Sequence, residues 1–150
     1  MIASSLPPTV SQWHQVSFAS TLYLRPILDC LLVDIPSEAQ ADLRLGLQEA
    51  LVNAAKHGNQ LDPYKTVFVH FSINQNQCWW IICDQGAGFE PPTSRRVAPL
   101  PKKVPEVGCE CGRGLYILYQ IFDDVHWNSD GTELRLSKSL KALVPPGSWR

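Results

Sequence analysis

No apolar run in these 150 residues approaches the ~18 consecutive residues of a membrane span, so no membrane is expected as a partner. Basic residues are not in excess either: 13 Lys and Arg stand against 14 Asp and Glu, a net charge of −1. Neutralising a phosphate backbone requires the opposite balance, which argues against nucleic acid. The cysteines are odd in number, five at positions 30, 78, 83, 109 and 111, and none are spaced CxxC. That argues against a disulfide framework and a zinc site and leaves reduced thiols as the expectation. Met1–Val10 lacks the basic start and apolar centre of a secretory signal, so the expected location is cytoplasmic. What is present is the composition of one globular domain, 45% hydrophobic and 18% charged.

Residues 1–12, with Pro7-Pro8, read as a tail. Trp13–Ser20 alternates Val16 and Phe18 with polar neighbours, the pattern of a half-buried edge strand. From Thr21 the spacing of Leu22, Leu24, Ile27, Leu28, Leu31 and Leu32 predicts a helix ending before Pro36, with Pro26 in its first turn. Ser37 and Gln40 have capping-box spacing and predict a second helix from Glu38 to about His57, with Gly58 left-handed just beyond it. Thr66–Ile73 and Cys78–Cys83 predict a hairpin turning through Asn74–Gln77, its second strand apolar on both faces and therefore central. Residues 85–112, rich in Gly and Pro, are too long for an ordinary connection and read as a lid or binding loop. A helix over 113–122 follows, then strands at Asp124–Asn128 and Thr132–Ser137 joined through Ser129-Asp130-Gly131. Residues 139–150 read as a second tail around a domain at 13–138. The expected fold is α+β, a two-layer sandwich with a mostly antiparallel sheet and helices on one face.

Chemistry concentrates in particular stretches. Glu49, Asn53 and His57 recur every fourth residue on the second helix, which places them on one face of an otherwise apolar run. Polar side chains there need partners; alternatively the first two sit at the solvent edge and His57 serves the helix C-terminus. Asp84-Gln85-Gly86-Ala87-Gly88-Phe89 puts an acid at the end of a buried strand before glycines that permit close backbone approach, or is simply a strand exit. Gly108-Cys109-Glu110-Cys111-Gly112-Arg113-Gly114-Leu115 leads into a helix, where free N–H groups and the helix dipole suit a polyphosphate. Arg113 either reaches a phosphate or is a solvated surface arginine. Of the pair Trp79 and Trp80, one is expected in the core and one outward, where it would suit a homodimer or partner contact.

In order and spacing these stretches resemble the GHKL superfamily of ATPases and kinases, which have the Bergerat fold. Leu47–Asn59 (LQEALVNAAKHGN) is similar to its N box, Asp84–Phe89 and Gly108–Leu115 to its glycine boxes, and Gly131-Thr132 to its final nucleotide-contacting threonine. The short chain and the form ExxxNAxxHGN resemble the RsbW-like anti-sigma-factor serine/threonine protein kinases. That resemblance implies ATP and Mg²⁺ as cofactors, Glu49 as general base, Asn53 as the Mg²⁺ ligand and Asp84 as the adenine acceptor. Gly86 and Gly88 would let the base approach, and Gly108, Gly112 and Gly114 would wrap the phosphates, with Arg113 and Leu115 beside them. His57 and Thr132 would complete the pocket. The implied partners are an anti-anti-sigma-like antagonist and a sigma factor. The competing reading is a non-catalytic module that uses ATP only as a conformational ligand and sequesters its partner.

Overall fold

The computed structural model describes residues 12–74, 76–90 and 110–141, leaving aside the side chains of 110–113. The strands are β1 (His14–Ala19), β2 (Thr66–Ile73), β3 (Gln77–Cys83), β4 (Asp124–Trp127) and β5 (Glu133–Ser139), and the α-helices are α1 (Arg25–Leu32), α2 (Ser37–Val52) and α3 (Glu110–Ile121). The strands form one antiparallel sheet in the order β1-β2-β3-β5-β4, so β1 lies at an edge and β3 in the middle, as expected. Register follows from burying one alternate set of side chains. Val69 pairs with Ile82 and Phe71 with Trp80, while Trp80 and Ile82 face Leu136 and Leu134 on β5. These residues merge with Leu28, Leu31, Leu43, Leu47 and Leu51 of the helices into one core. Trp80, fully buried, meets Phe122 edge-on at a centroid distance of 5.7 Å.

Local chemistry moves several helix boundaries from their expected places. The first helix begins at Arg25 rather than Thr21, because Pro26 lacks an N–H and is accommodated only in a first turn. Thr21 instead closes a small turn, its Oγ1 accepting the Tyr23 N–H. The capping box at Ser37 is not formed: Pro36 occupies the N-cap and α2 makes no side-chain cap bond. Gln40 turns back instead and donates to the Ile35 carbonyl at 2.8 Å, satisfying an end group near α1. Beyond Val52 the second helix continues as a π-helix over Asn53–Gly58. Gly58 is not left-handed; Gln60 and Leu61 take the positive φ values, 54° and 56°. The third helix starts at Glu110, before the expected 113, and most of the anticipated lid, at 91–109, lies outside the described residues.

Candidate functional site

The π-helix is where polar residues of the second helix reach a cleft. Asn53 donates its N–H to the carbonyls of both Ala50 and Glu49, and the Asn59 N–H reaches back five residues to Ala54 at 2.8 Å. Such widened turns are frequent at functional sites. The cleft beside it has a volume of about 250 Å³. Asn53, Ala54, His57 and Gly58 form one wall, with Ile82, Leu134 and Thr132 opposite. His57 lines the cleft with Asn53, as their spacing implied, and is exposed.

Asp84 leaves the end of β3 with its backbone N–H donated to the Thr132 carbonyl at 3.0 Å. Its Oδ1 accepts the Gly86 N–H at 2.9 Å, and its carboxylate packs against Gly58, where a β-carbon would overlap it. That contact is what requires glycine at position 58. Burial raises the Asp84 pKa above the ordinary aspartate value, opposed by the Gly86 N–H and the Lys65 charge. Next to it, burial and the Glu133 carboxylate push the Cys83 thiol up to about 12, leaving it neutral and unreactive. Gly88, at φ +83°, lies against the Asp130 carbonyl too closely for any side chain. The Phe89 N–H then donates to that carbonyl at 3.1 Å, and the Phe89 ring meets Trp127 edge-on at 5.8 Å across the cleft mouth. Thr132 is held by Asn128, whose Oδ1 accepts its N–H at 2.9 Å and whose amide donates to its Oγ1 at 3.2 Å.

From a further side of the chain, α3 brings Gly114 to the cleft and against Glu49 and Asn53. A β-carbon at Gly114 would stand 3.2 Å from Glu49 Oε2 and 3.4 Å from Asn53 Nδ2. Leu115 lines the cleft from the same helix. Gly112, Arg113 and Gly114 were expected in a loop or at the very start of the helix, yet all lie within α3. The Gly112 N–H belongs to the first turn, whose N–H groups have no intrahelical acceptors. Gly114 contributes through its missing side chain. Gly86 is set back from the cleft beneath the Gly58 carbonyl, and Gly108 lies outside the described residues.

Asn53, Asp84, Gly88, Gly114 and Thr132 therefore meet around one cleft, with Glu49 beside it. Residues 21–138 match the model of the histidine kinase-like ATPase domain. The chain belongs to that family. Its α+β sandwich agrees with the GHKL ATPase fold that the motifs imply. Among relatives of this ATPase domain, the anti-sigma F factor of Halalkalibacterium halodurans is 31% identical over 111 residues, covering 72% of this chain and 75% of that protein. The serine-protein kinase RsbW of Bacillus licheniformis is 28% identical over 102 residues, 66% of this chain and 64% of its own. RsbW of Bacillus subtilis is 26% identical over 102 residues, with the same coverage. The chain thus matches less than two-thirds of the length of these RsbW kinases.

Sequence reasoning assigned no role to Phe89, Trp127 or Asn59 in this ATPase domain. Phe89 closes the DQGAGF stretch and Asn59 the LQEALVNAAKHGN stretch, so position within a motif was an available signal. Nothing in the sequence pointed to Trp127, which reaches the cleft only through the pairing of β4 with β5.

Proposed function

We propose that the chain is an ATP- and Mg²⁺-dependent protein serine/threonine kinase that acts as an anti-sigma factor and phosphorylates a small regulatory antagonist protein. The observation that carries this reading is the placement of Glu49 and Asn53 together against Gly114, which lines the same cleft as Asp84. The names of the RsbW and anti-sigma F relatives support the substrate class and the partner. The cleft fits a nucleotide: Ala54, Ile82 and Leu134 offer apolar walls for a base, and the half-buried Asp84 carboxylate offers it an acceptor.

Bound Mg-ATP would supply the phosphoryl group and the metal charge that neutralises it in transfer. Asp84 accepts a hydrogen bond from the adenine amino group and so favours adenine over guanine. Thr132, held by Asn128, lies beside Asp84 on the base side. Asn53 offers its side-chain oxygen to the hard cation, which takes oxygen ligands and retains waters. Glu49 accepts the proton of the attacking hydroxyl. The first-turn N–H groups of α3 would offer donors to the phosphates.

Proteins captured from native cell extract, with and without Mg-ATP, are tested as acceptors of radiolabelled γ-phosphate, followed by phosphosite mapping. Phosphate on Ser or Thr of a captured protein is the expected result. Binding of both Mg-ATP and partner without transfer sinks the kinase and leaves a nucleotide-dependent sequestering module.

A further inference from the structure

Asn59 is fully buried, and its side chain joins segments distant in sequence. Its Nδ2 donates to Ser20 Oγ at 2.9 Å and to the Thr66 carbonyl at 3.1 Å, while its Oδ1 accepts the Gln85 N–H at 2.7 Å. Surrounding bonds hold those partners in turn. Ser20 Oγ donates to the Lys65 carbonyl at 2.9 Å, and Gln85 Oε1 accepts the Thr66 N–H at 2.8 Å. The backbone of Asn59 closes the π-helix through its bond to Ala54. One residue thus ends the segment that carries Asn53 and grips the peptide that follows Asp84.

A buried amide is destabilising to desolvate unless it is fully bonded, and an apolar side chain would fill the same space without that demand. What the amide adds is direction. The bond to the Gln85 N–H fixes the peptide between Asp84 and Gln85, and with it the angle at which the Asp84 carboxylate meets the cleft. Gly58 and Gly86, interlocked with no room for a side chain at either, hold the same joint from the helix side.

Resting on the nucleotide reading above, we infer that Asn59 is the positioning residue for base recognition: it touches no ligand but sets the orientation of Asp84 that selects adenine. Adenine selectivity, and not only stability, therefore depends on a side chain behind the cleft. A purely structural Asn59 would change the folded fraction and leave the selectivity of folded molecules alone.

The test compares calorimetric binding of Mg-ATP and Mg-inosine triphosphate, whose base carries a carbonyl in place of the amino group. The proteins are the wild-type chain, Asn59→Ala, Ser20→Ala and Asp84→Asn, with the folded fraction followed by near-ultraviolet circular dichroism. Wild type is expected to prefer ATP, and Asn59→Ala to lose roughly 10-fold of that preference, the scale of one directed hydrogen bond. If Asn59→Ala does not fold, Ser20→Ala decides, because it removes one acceptor of the Asn59 amide at a less buried position. A preference reduced roughly 3-fold there supports the inference, and an unchanged preference overturns it. Folded Asn59→Ala with wild-type preference overturns it as well, and if Asp84→Asn has lost preference in the same series, the base-reading role of Asp84 stands. A wild-type chain that binds both nucleotides equally has no base selection for Asn59 to set and overturns the inference while leaving nucleotide binding in place, and one that binds neither removes the nucleotide reading and this inference with it.

Discussion

Gly114 faces Glu49 across the contact between α3 and α2 so closely that a β-carbon at position 114 would stand 3.2 Å from Glu49 Oε2. The same atom would stand 3.4 Å from the Asn53 amide. Glu49 of α2 and Asn53 at the start of the π-helix are therefore shaped by a third residue that offers no functional group of its own.

Gly114→Ala is expected to separate stability from activity. Alanine is the better helix former by about 1 kcal/mol, so thermal stability should hold or rise. The added methyl displaces Glu49 and Asn53 by tenths of an ångström, and phosphoryl transfer should fall by roughly 10-fold or more, since misplacement in a positioned site is expensive in rate. Thermal melts beside single-turnover transfer check both halves. A variant with unaltered transfer would show that the crowding is absorbed elsewhere.

Glu49→Gln keeps the size of the side chain and its ability to hydrogen-bond but cannot take up a proton. Mg-ATP affinity is expected to stay within a factor of two or so while transfer falls by ~10²- to 10⁴-fold. Equal transfer by this variant and wild type would remove Glu49 from the role of base.

Asp84→Asn is expected to weaken ATP binding roughly 10- to 150-fold, because a charge-assisted acceptor is exchanged for a donor facing the adenine amino group. Titration with a fluorescent ATP analogue measures this. The same change should raise stability at neutral pH. With its folded pKa raised by burial, Asp84 binds more protons in the folded than in the unfolded chain. Its contribution is therefore present below the ordinary aspartate value and is lost as pH rises through the raised folded value. Melting temperatures of the two proteins should differ most above that window and converge in acid. Wild type melting higher than Asp84→Asn at pH 7 would contradict the assignment of burial as the dominant cause.

Gly46→Ala serves as a control away from the cleft. Its β-carbon would stand 2.6 Å from Phe122 Cε2 and 3.1 Å from Ile121 Cγ2, where a buried ring leaves little room to move. A loss of ~1–3 kcal/mol in urea unfolding is expected from overpacking, with ATP affinity of the folded molecules unchanged.

The strands and their pairing were legible in the sequence because alternation has a period that burial enforces, as at Val67, Val69 and Phe71. The cleft's Asn53, Asp84 and Thr132 were legible from motif resemblance, which places residues without giving their angles. The π-helix was not. Apolar spacing reports which side chains are buried, and Ala54 and Ala55 are buried in either winding. The partners of Asn59 were equally hidden, since they lie 39, 7 and 26 residues away and meet only when the sheet has formed. Ser37 and Gln40 show the opposite failure. The local spacing suggested a capping box, but Pro36 takes the N-cap and Gln40 bonds the Ile35 carbonyl instead.

Because Asn53–Gly58 is wound more loosely than the helix before it, its length is itself a specification. Loss of a single codon there would turn the five-residue bond from the Asn59 N–H to Ala54 into a four-residue one and rewind the segment as α-helix, changing how Asn53 and His57 are presented relative to Asn59. Replacing a residue such as half-exposed Lys56 disturbs one side chain, whereas removing it resets the phase of the whole joint. This stretch of the domain should accept changes of letter far more readily than changes of count.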